Sequence, residues 1–287
     1  MNKLTASVSE KYQDKLIYDF LKREMGLSSN IIKKVKYGGV LINGVCVTMR
    51  ATVKCGDLVT VNLPVMKSEN IAPVSMPLNI IYEDEHFIAV NKPKNMPTHP
   101  SKGNHLPTLA EGLCAYFSPD PFVFRAINRL DRDTSGIVII AKDAYSADKL
   151  SRIMKASGFI KKYDAVLKGT PTEKQGIINA PIARIEEGNI KRCVRENGKN
   201  AITEYKIIKE FKNGNSLAEI TLHTGRTHQI RVHTSYIGYP LLNDFLYGER
   251  EGDDTYYLHA KSIEFKNPFT NKQQILLYPS GFENLFE

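Results

Sequence analysis

The sequence predicts an α+β protein: a large, mainly antiparallel mixed sheet with flanking helices, preceded by a small α/β module. Three observations carry that class. From Leu78 onward, apolar runs of strand length alternate with only occasional helical periodicity. Asn43-Gly44 and Asn213-Gly214 each sit between such runs, and a type I′ hairpin turn needs positive φ at both central positions. Residues 64–77, PVMKSENIAPVSMP, hold three prolines and no periodicity, which is the texture of an extended linker between two parts that can swing.

Residues 11–63 form the first unit. In QDKLIYDFLKREMG, Leu16, Phe20, Leu21 and Met25 recur near helical spacing, and Gly26 is suited to end the helix. Ser28 or Ser29 offers an N-cap for NIIKKVKYGG, where Ile31, Ile32 and Val35 share a face. Short β runs follow: VLING, VCVTM and TVKCGDLVTVNL.

Residues 78–287 form the second unit. LNIIYEDEHFIAVNKP reads as two strands around an acidic turn, THPSKGNH as a loop and TLAEGLCAYF as a short helix. GIVIIAK is a buried strand, after which Asp143 caps AYSADKLSRIMKAS and Gly158 ends it. KKYDAVLKG alternates as a strand, EYKIIKEFKNGNSLAEITLHTG is a hairpin, and Thr227 caps HQIRVHTSYIG, which closes at Gly238.

The chain has 287 residues and a formal net charge of +8. That excess favours polyanionic partners, nucleic acid ahead of acidic membranes. No signal peptide is visible and no stretch approaches the ~20 apolar residues of a membrane span, so a cytoplasmic protein without a membrane partner is expected. Cys46, Cys55, Cys114 and Cys193 show no CxxC pairing and read as reduced, mostly buried thiols. Neither GxGxxG nor a Walker sequence is present, so no nucleotide cofactor is expected. His228 and His233 lie five apart with no Glu between them, which argues against zinc, and no metal is expected. Nothing demands more than a monomer.

The densest charge lies in NRLDRDTSG, where Arg129, Asp131, Arg132 and Asp133 crowd against a greasy strand. Asp131 and Asp133 can be plain turn residues, with Thr134-Ser135-Gly136 completing the bend. A solvated turn has no need of the two arginines, however, and charges bordering buried backbone have either a mutual structural role or a poised one. TGRTHQIRVH adds Arg226, His228, Arg231 and His233 on a turn and the following helix, a setting suited to anions. Residues 184–200 are basic on balance and read equally as a phosphate contact or a solvated hairpin.

In chain order, NRLDRDTSG, KKYDAVLKG, GKNAIT, TGRTHQIRVH and LHAKSIEFKNP resemble the pseudouridine synthase family that modifies large-subunit ribosomal RNA, with related members acting on transfer RNA. NIIYEDEHFIAVNKPKNMPTHPS resembles the family's opening segment, and residues 11–63 resemble the alpha-L RNA-binding module that often precedes it. The resemblance implies an isomerase that converts uridine to pseudouridine within RNA, without cofactor or metal. It implies that Asp131 is the catalytic aspartate, acting as nucleophile or as the base that starts elimination at the sugar. It assigns Arg231 as the cation beside that aspartate, and Tyr163 as the aromatic against the uracil. Arg129 matches a position that fills the space of a flipped-out nucleotide or holds a phosphate, and Leu258 an apolar position against the base. The family usually has His where this chain has Asn128, which cannot titrate near neutral pH.

Two other readings compete. In one, the large domain is an inactive platform and the small module binds the ribosome; intact Asp131, Tyr163 and Arg231 argue against it. In the other, Asp131 and Asp133 are a glycosidase pair, but two residues in one loop control the required opposite-face geometry poorly.

Overall fold

The computed structural model describes residues 3–64, 71–101, 106–249 and 255–286. Its first part holds strands β1 (Lys3–Ser7), β2 (Val40–Ile42), β3 (Val45–Cys46) and β4 (Leu58–Asn62), with helices α1 (Ile17–Arg23) and α2 (Ser29–Val35). The strands form one sheet in the order β1-β4-β2-β3, so the chain enters it eight residues before the expected start at 11. Ile17, Phe20 and Leu21 of α1 and Ile31, Ile32 and Val35 of α2 bury against Val40, Val59 and Val61. The buried face of α1 begins at Ile17; Leu16, expected on it, is the N-cap residue and is 44 % exposed. Ser28 caps α2, its Oγ accepting from the Ile31 N–H. Asn43 and Gly44 take φ of 48° and 84° between β2 and β3, and the Asn43 amide donates to Asp57, which ties the hairpin to the turn before β4.

Part of the expected linker, residues 65–70, lies outside the described residues, as do residues 102–105 of the THPSKGNH loop. Residues 71–77 carry no regular element but do not hang free. The Val74 N–H donates to the Glu111 carbonyl, and Met76 fills the space that a Cβ on Gly112 would occupy. The linker is therefore laid down on the second part at its C-terminal end, contrary to an extended, unpacked segment.

The second part holds β5 (Asn79–Glu83), β6 (Phe87–Lys92), α3 (Leu109–Tyr116), β7 (Ser135–Ala141), α4 (Ala144–Lys155) and β8 (Phe159–Leu167). It continues with β9 (Gln175–Asn179), β10 (Ile182–Arg184), β11 (Arg192–Val194), β12 (Ile202–Glu210), β13 (Ser216–Leu222), α5 (Gln229–Tyr236), β14 (Leu258–Lys266) and β15 (Gln273–Leu277). A nine-stranded sheet runs β5-β6-β7-β14-β8-β13-β12-β9, with β15 added on β14. Its one parallel pair is β7 with β14, and that pairing makes the sheet mixed. Gly136 marks the contact: its φ is 112°, and a Cβ there would stand 2.4 Å from the Ala260 carbonyl oxygen.

Both faces of the central strands are covered, so they read as unbroken apolar runs. Ile88, Val90, Val138, Tyr163, Ala165 and Leu258 face one core with α3, while Phe87, Ala89, Ile137, Ile139 and Phe265 face the other with Leu150 of α4. Asp143 caps α4 as expected, accepting from the Ser146 N–H. The left-handed residue after α4 is Ser157, at φ 58°, and not Gly158, whose missing Cβ instead makes room for Ile153. β10 and β11 form a separate basic hairpin, anchored by Ile182 against Val232 of α5. None of the four cysteines is buried: Cys46 and Cys55 are exposed, in the two-residue strand β3 and the turn before β4, and the others are intermediate.

Candidate active site

The turn at 131–134 closes with the Thr134 N–H donating to the Asp131 carbonyl, and delivers the chain into β7 at the parallel seam. Behind it, Asn128 donates to the Ile137 carbonyl and accepts from the Ile139 N–H, so this buried amide is spent on the backbone of β7. Lys92, at the end of β6, is fully buried and donates through Nζ to the carbonyls of Pro93, Met96 and Arg132. Burial pushes the Lys92 amine down to about 7, against the pull of Asp133 and Asp131.

The four charges of the turn divide. Arg132 donates through Nε and Nη2 to both oxygens of Asp133, at 2.9 and 2.8 Å, a planar fork that uses up the buried carboxylate. The Asp131 side chain is 33 % exposed and turns toward α5, with Oδ2 3.8 Å from Arg231 Nη1 and 3.7 Å from His228 Nε2. The Arg129 side chain is exposed. Arg129 is close enough to His99 to depress that imidazole's pKa together with burial.

Arg231 is itself buried. It donates through Nε and Nη2 to Asp244 at 2.7 and 2.8 Å, and its guanidinium lies 4.3 Å from the centre of the Tyr256 ring. Burial opposes its charge, but the Asp244 hydrogen bonds hold its pKa above the ordinary arginine value. Tyr163 and Leu258 belong to the adjoining floor: Tyr163 pairs with Ala260 and Leu258 with Ala165 across β8 and β14, and all four join the same core. Burial, with the Asp131 charge, pushes the Tyr163 phenol well above its usual range.

Helix α5 departs from expectation at its start. Thr227 is exposed and does not cap it; His228 does, in the left-handed region at φ 57° with no side-chain cap bond. Gln229 Oε1 instead accepts the Arg226 N–H and the Thr224 hydroxyl, which ties the turn before the helix to its first residue. His233 is a core residue held by Thr203 and the Ala180 carbonyl, and Arg226 donates to the Asn200 carbonyl. The arrangement thus brings Arg231 to Asp131, with Tyr163 near enough to feel that charge, keeps Leu258 buried on the neighbouring strand and leaves Arg129 at the surface. Sequence reasoning missed Asp244, Tyr256 and Lys92 entirely and gave His228 no role. The LLNDFLYG stretch carries an Asp among apolar residues, which was the available signal for a buried, paired carboxylate. Among the described residues, no group of three or more His, Cys, Asp or Glu converges as around a metal ion.

Residues 86–236, more than half the chain, match the family described as RNA pseudouridylate synthase. RNA pseudouridine synthase YlyB of Bacillus subtilis (strain 168) is 36 % identical over 95 % of this chain and 92 % of its own length. The chain belongs to the RNA pseudouridylate synthase family. Ribosomal large subunit pseudouridine synthase D of Buchnera aphidicola is 40 % identical to this pseudouridylate synthase over 73 % of the chain and 70 % of its own. The solved structure of human RNA pseudouridylate synthase domain containing 1 superimposes with a TM-score of 0.62 at 28 % identity, covering 73 % of this chain and 86 % of the human one. The matched span of this pseudouridylate synthase holds Asp131, Tyr163, His228 and Arg231, whereas Asp244 and Leu258 follow it. The enzyme is an isomerase that forms pseudouridine in RNA.

Proposed function

We propose that this pseudouridine synthase acts on large-subunit ribosomal RNA, on a uridine flipped out of the stack, with Asp131 as its catalytic aspartate. One observation carries the reading: Asp131 is the carboxylate of the turn left unspent, part exposed, with one oxygen toward the buried, always-charged Arg231. A carboxylate so placed is free to attack the sugar or to take a proton from it. Tyr163 and Leu258 form the apolar floor on which uracil stacks, and exposed Arg129 occupies the vacated space or a neighbouring phosphate. No cofactor or metal takes part, and one copy of the chain suffices.

The ribosomal target is favoured by the large-subunit synthases among the relatives and by the basic first part, residues 11–63. There Lys33, Lys34 and Lys36 are exposed on and just after α2, with Lys36 4.5 Å from the ring centre of the exposed Tyr37. A cationic face with an aromatic beside it suits an RNA backbone. Helices long and apolar enough to cross a membrane are absent among the described residues.

The test is tritium release from RNA labelled at carbon 5 of uridine, without added metal. Wild type releases tritium from ribosomal RNA, and Asp131→Ala drops the rate by roughly 10³-fold or more while RNA affinity stays near wild type. Activity in Asp131→Ala sinks the assignment; release from transfer RNA alone sinks the ribosomal target. Replacing the three lysines with alanine weakens binding and flattens its salt dependence by about 0.7–0.9 in log–log slope per lost phosphate contact.

A further inference from the structure

Asp131 has a second neighbour besides Arg231, and it is held with unusual care. His228 adopts φ 57°, a left-handed conformation that persists in a non-glycine residue only where its surroundings impose it. It makes no side-chain cap bond in return. Its Nε2 points at Asp131 Oδ2 from 3.7 Å, and its Nδ1 lies 2.8 Å from the Tyr247 hydroxyl. That hydroxyl accepts the backbone N–H of Arg192, the first residue of β11, at 2.9 Å. With its acceptor side taken, Tyr247 directs its own proton to Nδ1, which leaves the imidazole proton on Nε2, facing the carboxylate.

We propose that His228 is a positioning residue for Asp131, a second donor to Oδ2 held by Tyr247, which ties the carboxylate to the basic β10–β11 hairpin. The inference rests on the reading of Asp131 as the reacting group. Arg231 and His228 both address Oδ2, so the pair turns Oδ1 toward the substrate. At 3.7 Å the His228 contact is longer than a hydrogen bond, as such contacts often are before substrate binds. Its other end is anchored on a hairpin carrying Arg184, Lys191, Arg192 and Arg195, with Lys191 5.8 Å from the Tyr247 ring centre. RNA that settles on this hairpin presses the line Arg192–Tyr247–His228 onto the carboxylate and closes the gap.

Asp131, Arg231, Arg192, Asp244 and Tyr247 are the charged and titratable groups that act on the imidazole. Burial first, then Arg231 and Arg192, keep its pKa below the ordinary histidine value, against Asp131 and Asp244. The ring is therefore neutral at neutral pH. Protonation at lower pH puts a second proton on Nδ1, where it faces the Tyr247 hydroxyl proton, so the hydroxyl must turn away and the line is lost.

Single-turnover tritium release at saturating RNA tests this, with RNA affinity and melting temperature measured alongside. Tyr247→Phe keeps the ring over Arg231 but removes the hydroxyl; His228→Phe removes both ends. Each lowers the rate by roughly tenfold, the size of one hydrogen bond to a charged group, with RNA affinity within about twofold. The double variant is no slower than His228→Phe, because both changes cut the same line. The wild-type rate falls on the acid side in a step below the ordinary histidine pKa, and His228→Phe lacks that step. A wild-type rate and pH profile in His228→Phe, or additive losses in the double variant, overturn the proposal. So does a loss that only tracks melting temperature. Asp131→Ala in the same assay separates the premises: if it remains active, the reading of the site fails, whereas an inactive Asp131→Ala beside an unaffected His228→Phe fails the relay alone.

Discussion

Asp131 and Asp133 share one turn and lie two residues apart, yet their surroundings have nothing in common. Asp133 is buried, and both its oxygens are taken by Arg132, its neighbour in sequence. Asp131 is a third exposed, and its neighbours, the cationic Arg231 of α5 and the His228 imidazole just before that helix, come from far along the chain and stand at 3.8 and 3.7 Å. A carboxylate buried and gripped on both oxygens by short, paired hydrogen bonds is fixed in place and closed to a substrate. One held loosely by a cation that is itself locked elsewhere keeps its reach. The same contrast recurs on Arg231, whose short fork goes to Asp244 and whose long contact goes to Asp131. The short pairs build; the long pair is the one available for chemistry.

Paired substitutions expose that contrast most sharply. Asp131→Asn abolishes turnover, by roughly 10³-fold or more, and leaves the unfolding midpoint close to wild type. Asp244→Ala strands a buried guanidinium and costs about 3–5 kcal/mol in denaturant unfolding, with activity lost because Arg231 no longer has a fixed place. The double change Arg231→Met with Asp244→Leu removes both buried charges, so it recovers most of that stability and none of the activity. If Asp244→Ala unfolds no more easily than wild type, the fork is not what holds Arg231. Asp133→Ala is milder, about 1–2 kcal/mol, because the arginine it abandons is half exposed and returns to water. Its turnover per folded molecule should fall much less than that of Asp131→Asn; an equal loss erases the distinction between the two aspartates.

What could be read from the sequence alone follows the range of the forces involved. Ser28, Asn43-Gly44 and Asp143 act on backbone within a few residues, and each stands where it was expected; Asn213-Gly214 also turns its hairpin, but only Gly214 takes positive φ, in a three-residue loop closed between Phe211 and Asn215 and not a type I′ pair. Central strands announce themselves because both faces are covered. β9, with only Ile177 and Ile178 apolar, sits at an edge with Ile177 two-thirds exposed, so its sequence carries little signal. β1 is equally short, and the linker's grip on α3 depends on a notch at Gly112 that no local pattern reveals. As candidates for the site, Asp131, Tyr163, Arg231 and Leu258 were legible through resemblance to a family and not through spacing. Asp244 was not, because its meaning arises only when the chain beyond α5 folds back on Arg231.

Lys92 offers the most direct check on how the turn between the two aspartates is held. Its Nζ donates to the Arg132 carbonyl, at the residue between them, from a fully buried position. In the unfolded chain its amine has the ordinary lysine pKa of about 10.4. In the native state burial brings that to about 7. Between these two values the unfolded chain holds the proton and the folded one has released it, so unfolding takes up a proton and stability rises with pH. Below about pH 7 both states are charged, and the native state carries the full cost of a buried ammonium. Lys92→Met lacks this slope. Denaturant unfolding of the two proteins from pH 6 to pH 10 should therefore show wild type gaining on the variant as pH rises through that window. Parallel curves would mean that the three carbonyls hold Lys92 as an ammonium throughout, making it a fixed charge beneath Asp131 in place of a neutral strut.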